Sequence, residues 1–239
     1  MDIPNLVDAV FLRRENRFAA KVLLDGQITA CHVPNSGRLR ELLVEGAPVR
    51  VTRFRGSGKT ACGLVMVQNL GHWVVIDAHR ANAVAHEAVL AGLVPGLENP
   101  ESIRREVTCG NSRFDMACTV SGMLHYVEVK CSTLQENGVG MFPDAPTERG
   151  WKHLKELTKL SLCGTDCHVL FVMQHPAAQS FRPHWETDPV FARLLGEAID
   201  GGVRVHALVC DVNAYAVAAV SAIPIIKAKT IPPSLLVEN

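Results

Sequence analysis

The first eighty residues alternate short apolar runs with turn residues, at a spacing that predicts β-strands. Turns are expected at Asp25-Gly26 and at Gly71, where glycine follows the end of an apolar run by one or two positions. The predicted strands cover residues 6–13, 17–24, 27–32, 48–54, 61–70 and 73–77. This part of the chain is therefore expected to be mainly β-structure.

One helix is predicted among these strands, over residues 38–44. Leu39, Leu42 and Leu43 recur at helical spacing, and Gly46 ends the pattern. Five or six short strands with one short helix favour a small β-barrel. The OB-fold, a common nucleic-acid-binding barrel, fits this pattern, and an SH3-like barrel fits it nearly as well.

From about residue 80 the pattern changes to helices that alternate with longer apolar runs. A helix is expected first, then a strand pair whose turn is Ser121-Gly122, and later strand, helix and strand in succession. Such an order predicts an α/β sheet of mixed direction in a second domain, so the domains are placed at 1–80 and 81–239. The predicted elements are helix 81–93, strands 114–120 and 124–130, a loop over 135–143, a helix capped by Asp144 or Thr147, strand 168–174, helix 188–200, strand 203–209 and an irregular or edge-strand tail over 223–239.

Composition is that of a soluble globular protein, with 48% hydrophobic and 20% charged residues among 239. The formal net charge is zero, so any basic surface for a nucleic acid must be local. Residues 1–60 hold ten Lys and Arg against six Asp and Glu, which makes the predicted barrel the basic part of the chain. No apolar run is long enough to span a membrane. The eight scattered cysteines, without a secretory signal pattern before them, are expected to be reduced in a cytoplasmic protein.

Residues 56–60, with the sequence GSGKT, look like the end of a phosphate-binding P-loop. Arg53 stands where the first glycine of that motif belongs, and a β-like segment follows instead of a helix. The segment is therefore interpreted as a basic hairpin loop.

Three charged residues of the predicted strand pair are expected to share one face. Glu128 and Lys130 alternate with apolar neighbours on the second strand, and Asp115 lies near the start of the first. Two carboxylates beside an ammonium suggest a site for Mg²⁺ or Mn²⁺, with Asp115 and Glu128 as ligands. A bound cation of this kind polarises a phosphodiester and activates water. The alternative is a surface hairpin with an ordinary Glu–Lys pair.

Further basic residues are candidates for contacts with a phosphate backbone. Some lie in the predicted barrel and others on the helix that follows the Glu-x-Lys strand, close to the expected metal site. The alternative is a solvated surface of mixed charge. The candidates are Arg13, Arg17, Lys21, Arg38, Arg40, Arg149, Lys152 and His153.

Five longer segments resemble the sugar fermentation stimulation protein A (SfsA) family over nearly the whole chain. They are HVPNSGRLRELL (32–43), REVTCGNSRFDM (105–116), YVEVKCSTL (126–134), FPDAPTERGWKHLKEL (142–157) and DPVFARLL (188–195). Ser36 stands where many members have threonine, and Met116 where many have phenylalanine.

The resemblance implies an N-terminal OB-like barrel followed by a PD-(D/E)xK nuclease-like domain. It places Asp115, Glu128 and Lys130 on the nuclease motif and Glu106 on its upstream acid, so these four are the candidate catalytic residues. It also implies DNA binding without sequence specificity and a regulatory role in sugar (maltose) metabolism.

Two functions therefore follow from the sequence. The first is a non-sequence-specific DNA-binding protein with a regulatory role. The second is a metal-dependent endo- or exonuclease, because a pure binding protein has no chemical need for the complete acidic and lysine set. A homodimer is one expected state, since nucleases that act on duplex DNA often work in pairs.

Overall fold

A computed structural model describes residues 1–54 and 59–226 of the chain. Six strands form in its N-terminal part, and each coincides with a predicted strand to within about three residues at either end. The predicted basic hairpin loop falls largely on residues 55–58, which lie outside the described residues. The strands are β1 (Leu6–Asn16), β2 (Ala19–Leu24), β3 (Gln27–His32), β4 (Pro48–Arg53), β5 (Cys62–Asn69) and β6 (His72–Val75).

Five of these strands close into a ring. Antiparallel pairs join β3 to β2, β2 to β1, β1 to β4 and β4 to β5, and a short parallel pairing of β3 with β5 at Cys31 and Cys62 completes the circle. Strand β6 extends β5 outside the ring. Alternate side chains fill the interior, among them Phe11, Val22 and Leu64. The N-terminal part is thus an OB-type β-barrel, as predicted.

The helix predicted over 38–44 does not form, and this prediction is wrong. The segment is a hydrogen-bonded turn in which the Leu43 N–H donates to the Leu39 carbonyl at 2.8 Å. Leu39 takes a φ of 51°, which an α-helix excludes. Leu39 and Leu42 are apolar because they are buried in the barrel core, which explains their spacing without a helix.

The C-terminal part is a six-stranded sheet with helices, in the order β15-β14-β12-β9-β8-β7. Its centre is parallel, where β12 lies between β9 and β14, and its edges are antiparallel, so the predicted mixed direction is confirmed. The elements are α1 (His79–Leu90), β7 (Ser102–Cys109), β8 (Ser112–Val120), β9 (Met123–Ser132), β10 (Leu134–Glu136), β11 (Val139–Phe142), α2 (Glu148–Leu162), β12 (Asp166–Met173), β13 (Ser180–Pro183), α3 (Pro189–Asp200), β14 (Arg204–Val212) and β15 (Val217–Ala222).

Several strands of this part were not predicted. The predicted loop 135–143 instead contributes β10 and β11, which form a small sheet with β13. The edge strands β7 and β15 were also missed. Thr147 rather than Asp144 caps α2, by accepting the Gly150 N–H at 3.1 Å. Most of the predicted tail, residues 227–239, lies outside the described residues.

The barrel and the sheet share one apolar core beneath α1. Met66 and Val75 from the barrel strands belong to the same buried cluster as Leu170 and Leu208 from the sheet. Arg50 adds a polar connection, because its guanidinium stacks over Trp73 and donates to the Ala214 carbonyl at 2.5 Å. The two halves therefore pack directly against each other. Within the described residues, no helix combines the length and the apolar character needed to cross a membrane.

Candidate functional site

Strands β8 and β9 bring the predicted acidic and basic residues together. Their ladder ends at Met116 opposite Val127, so the next residues in register are Asp115 and Glu128. At that point the Asp115 carboxylate accepts the Val129 N–H at 2.8 Å, in the place of a backbone carbonyl. The common face expected for Asp115, Glu128 and Lys130 is therefore present.

Glu128 is buried, with 3% of its surface exposed, and its two carboxylate oxygens differ in their contacts. Oε1 accepts hydrogen bonds from the ammonium of Lys130 and from Nδ1 of His153 on α2. Oε2 is buried and has no hydrogen-bond partner among the described residues. Burial favours the neutral acid, but Lys130 and His153 together hold the pKa of the Glu128 carboxyl below its usual range. An ionised carboxylate thus keeps one free oxygen in the interior.

The pKa of the Asp115 carboxyl is shifted in the opposite direction to that of Glu128. Burial, followed by the negative charge of Glu128, raises the pKa of the Asp115 carboxyl above its usual range. The hydrogen bond from Val129 and a second one from the Asn82 side chain, at 2.8 Å, oppose this rise. The two carboxylates therefore repel each other in the absence of a compensating charge.

This donor set suits a hard divalent cation. Asp115 and Glu128 offer carboxylate oxygens, and the buried Oε2 of Glu128 lacks the partner that a buried polar atom normally has. Within the described residues, no group of three or more His, Cys, Asp or Glu side chains forms a complete cage. Mg²⁺ and Mn²⁺ are compatible with two carboxylates, because water and substrate phosphate supply the other ligands.

The carboxylates line a cleft of about 580 Å³ between the barrel and the sheet. Arg17, Asn35 and Ser36 line it from the barrel side, and Arg149 at the start of α2 lines it from the other. A second depression of about 720 Å³, the basic groove, adjoins it. Arg17 lines both, so the groove and the cleft form a continuous surface. The basic groove is lined by Arg14, Arg17, Arg38 and Arg40, with neighbouring residues of the 36–43 turn and of the 145–146 loop.

The other predicted basic residues lie apart from this surface. Arg13 and Lys21 are paired across β1 and β2 and both lie near Glu15, at 3.6 and 3.9 Å. Lys152 donates to the Asn111 carbonyl at 3.0 Å. Four of the eight predicted nucleic-acid contacts, Arg17, Arg38, Arg40 and Arg149, thus lie at the cleft and groove.

Two predicted site residues are placed differently from expectation. His153 is 5% exposed and contacts Glu128, so its assignment to a nucleic-acid surface is corrected to a contact behind the carboxylate. Glu106 lies on β7, pairs with Arg113 at 2.8 Å and does not line the cleft. The backbone φ of Glu106 is 55°, and it interrupts the pairing of β7 with β8 at the position where Glu106 would lie opposite Asp115.

Three residues of the site were missed by the sequence prediction. Asn82 on α1 holds Asp115, and Asp144, predicted only as a helix cap, lines the cleft and accepts the Leu39 N–H at 3.2 Å. Arg14 donates to the carbonyls of Asn35, Gly37 and Arg38 and to that of Arg17. No local motif marks these roles, because each partner is distant in sequence or is a backbone atom.

Arg14→Ala is expected to lower the free energy of unfolding by about 2 kcal/mol, because several carbonyls lose a charged donor. The β1–β2 turn, which carries Arg17, and the 36–43 turn, which carries Arg38, should loosen at the same time. Urea denaturation measures the change. Arg13→Ala is the matched control: its weak, exposed ion pair predicts a change below about 0.5 kcal/mol. Equal effects of the two substitutions would contradict the proposed role of Arg14, which is to hold these carbonyls together.

Comparison with known proteins gives matches over nearly the whole chain. The family model described as the sugar fermentation stimulation protein RE domain matches residues 79–216, and that of the SfsA N-terminal OB domain matches residues 12–76. A solved structure, that of Pyrococcus furiosus SfsA in complex with Ca²⁺, superposes with a TM-score of 0.85 at 32% identity. The match covers 95% of this chain and 98% of that one.

Curated relatives agree with these matches. A sugar fermentation stimulation protein homolog of Acetivibrio thermocellus is 46% identical over 211 residues, which cover 87% of this chain and 91% of the relative. A homolog from Desulforamulus reducens is 38% identical over 223 residues, or 93% of each chain. One from Methanobrevibacter smithii is 41% identical over 216 residues, 86% of this chain and 90% of the relative. The chain belongs to the sugar fermentation stimulation protein (SfsA) family.

Proposed function

We propose that this protein is a divalent-metal-dependent nuclease, which hydrolyses phosphodiester bonds of a nucleic acid on a PD-(D/E)xK nuclease-like scaffold. The observation that carries the proposal is the buried, ionised Glu128 with one unpartnered oxygen, opposite Asp115 and beside Lys130. Lys130 and His153 contact only Oε1, and a buried carboxylate oxygen such as Oε2 costs free energy unless a donor or a cation contacts it. The Ca²⁺ in the structure of the Pyrococcus furiosus relative supports a cation site on this fold.

Asp115 and Glu128 would hold Mg²⁺ or Mn²⁺, which when bound polarises the phosphodiester and lowers the pKa of a water molecule. Lys130 keeps its ammonium beside Glu128, where it stabilises negative charge on the reacting phosphate. His153 is a positioning residue, because it contacts the oxygen of Glu128 that also contacts Lys130. Arg17 and Arg149 line the same cleft and orient the phosphate backbone.

A second candidate is a nucleic-acid-binding protein that does not cut. The basic groove favours it, since Arg38 and Arg40 lie outside the carboxylate site and neutralise phosphate without chemistry. Such binding is not sequence-specific. A regulatory role in sugar metabolism, in keeping with the family name, would fit this candidate.

The test combines metal uptake with cleavage. We expect calorimetry to detect binding of Mg²⁺ or Mn²⁺ at millimolar concentration, and we expect labelled single- or double-stranded DNA to be cut when either metal is present. A chelator should stop the cutting, because the carboxylates alone activate no water. Salt-sensitive DNA binding without metal uptake or cutting would overturn the nuclease and leave the second candidate.

A further inference from the structure

Two aromatic side chains are exposed on the outside of the barrel. Phe18 in the β1–β2 turn is 48% exposed, and Phe54 at the end of β4 is 47% exposed. Neither ring belongs to the three buried apolar clusters. Both rings therefore present apolar surface to solvent that a flat partner can cover. We call Phe18, His32 and Phe54 the aromatic face.

Pairing of β2, β3 and β5 places these residues at one end of the barrel wall. His32, the last residue of β3, pairs with Ala19 on one side and with Gly63 on the other. The preceding residues in β3 and β5, Cys31 and Cys62, are completely buried, so His32 and Gly63 face outward. Strand spacing puts Ala19 and Gly63 roughly 10 Å apart. Phe18 precedes Ala19, and the Phe54 ring packs on Gly63, so each phenylalanine lies next to a strand neighbour of His32.

Small residues on this wall make room for the Phe54 ring. A Cβ atom on Gly63 would lie 2.7 Å from the Phe54 ring, so this ring rests directly on the strand backbone. Ala19 adds only a methyl group beside His32. The His32 ring contacts the Phe18 carbonyl through Nδ1, at 3.1 Å, which holds it beside the β1–β2 turn.

Charge next to the aromatic face is positive and leads to the cleft. The Arg17 guanidinium lies 5.5 Å from the centre of the Phe18 ring, and Arg17 also lines the basic groove and the cleft that holds Glu128. Lys21 lies two residues beyond Ala19 on the same face of β2. An occupant with planar apolar groups and a polyanionic backbone matches both features.

We propose that the aromatic face stacks the bases of a single-stranded nucleic acid, whose backbone continues past Arg17 toward the cleft. This inference rests on the proposed function and names its substrate class. Bases of a duplex are already stacked on each other, whereas those of a single strand are free to stack on Phe18 and Phe54. Sheet surfaces of known RNA-binding modules hold two or three bases in this way.

The test is fluorescence anisotropy of a labelled oligothymidylate and of a labelled duplex, measured with a chelator so that no cleavage occurs. Phe18→Ala and Phe54→Ala are each expected to weaken binding of the oligothymidylate about tenfold and duplex binding less than about twofold. Phe18→Leu and Phe54→Leu keep an apolar side chain but lack a ring, so they should show the same selective loss while folding normally. Leu162→Ala, which truncates an exposed apolar residue on α2, is the control and should change neither oligothymidylate binding nor duplex binding.

The outcomes separate this inference from the proposed function. Selective loss of oligothymidylate binding supports the aromatic face even if the protein never cuts DNA. Unchanged binding in the phenylalanine variants, or equal losses for single strand and duplex, overturns it even if metal-dependent cutting is observed. Binding of a protein partner instead of the oligothymidylate would overturn it as well.

Discussion

Glu128→Gln is expected to lower metal-dependent DNA cleavage about a thousandfold, the equivalent of roughly 4 kcal/mol of transition-state stabilisation. Glutamine has nearly the same shape as glutamate but no charge. It therefore cannot compensate a divalent cation, and it leaves the ammonium of Lys130 without its carboxylate partner. Initial rates of cleavage of labelled DNA at saturating Mn²⁺, for the variant and the wild type, measure the effect.

The same substitution should leave nucleic-acid binding nearly unchanged in the presence of a chelator, because the basic groove does not contain Glu128. Glu136→Gln is the matched control: it removes one exposed carboxylate on β10 and should cut at the wild-type rate. If Glu128→Gln retained wild-type cleavage, the proposed site would be wrong. If Glu128→Gln loses folding as well as cleavage, seen as a lower unfolding temperature, the conservative variant Glu128→Asp is measured in its place, because it keeps the carboxylate.

Local patterns were enough to predict most of the fold. The six N-terminal strands, the mixed sheet and its three helices follow from alternation and helical periodicity, which depend on neighbours within a few residues. The strands that were missed are short or at sheet edges, like β13 and β15, where burial is partial and the pattern is weak. The helix wrongly predicted at 38–44 shows the same limit: its leucines are spaced by the barrel core and not by a helix.

The candidate site was predicted in part for the same reason. Asp115, Glu128 and Lys130 lie on two adjacent strands joined by a tight turn, so a strand-pair argument brings them together. Asn82 and His153 reach the same carboxylates from helices 25 or more positions away, and only the packing of the helices on the sheet shows it. Glu106 was expected at the site but a break in β7 turns its side chain to Arg113.

A row of three histidines, two buried and one half-buried, crosses the centre of the sheet and was not predicted. His125, His168 and His206 lie on β9, β12 and β14, and neighbouring ring nitrogens are 3.1 Å apart at both contacts. Each contact needs one N–H and one lone pair, which neutral rings supply. Asp166 lies 4.0 Å from His125 and forms an ion pair with Arg204. The negative charge of Glu98 opposes the lowering of the His206 pKa. Burial, with smaller contributions from nearby positive charge, lowers the pKa of His168 to about 2 and that of His206 to about 4.

These shifts predict a loss of stability in mild acid. Both rings stay neutral in the folded protein, whereas an unfolded histidine takes up a proton below about pH 6.5, so the free energy of unfolding falls as the pH drops below that value. At pH 5.0 each ring contributes a loss of about 2 kcal/mol relative to pH 7.5, or about 4 kcal/mol for His168 and His206 together. Burial raises the pKa values of the Asp115 and Glu41 carboxyls, and these two groups act in the opposite direction.

Urea denaturation at pH 7.5 and pH 5.0 measures this dependence. His168→Gln removes one titrating ring, so the difference between the two pH values should shrink by about 2 kcal/mol, although stability at pH 7.5 falls as well because the ring contacts are lost. His79→Gln, at an exposed position on α1, is the control and should keep the wild-type dependence. Equal stability of the wild type at both pH values would contradict the neutral state of the row. A loss confined to pH values below about 4.3, where a glutamate in the unfolded chain takes up its proton, would assign the acid sensitivity to carboxylates such as Glu128, whose pKa is lowered in the folded protein.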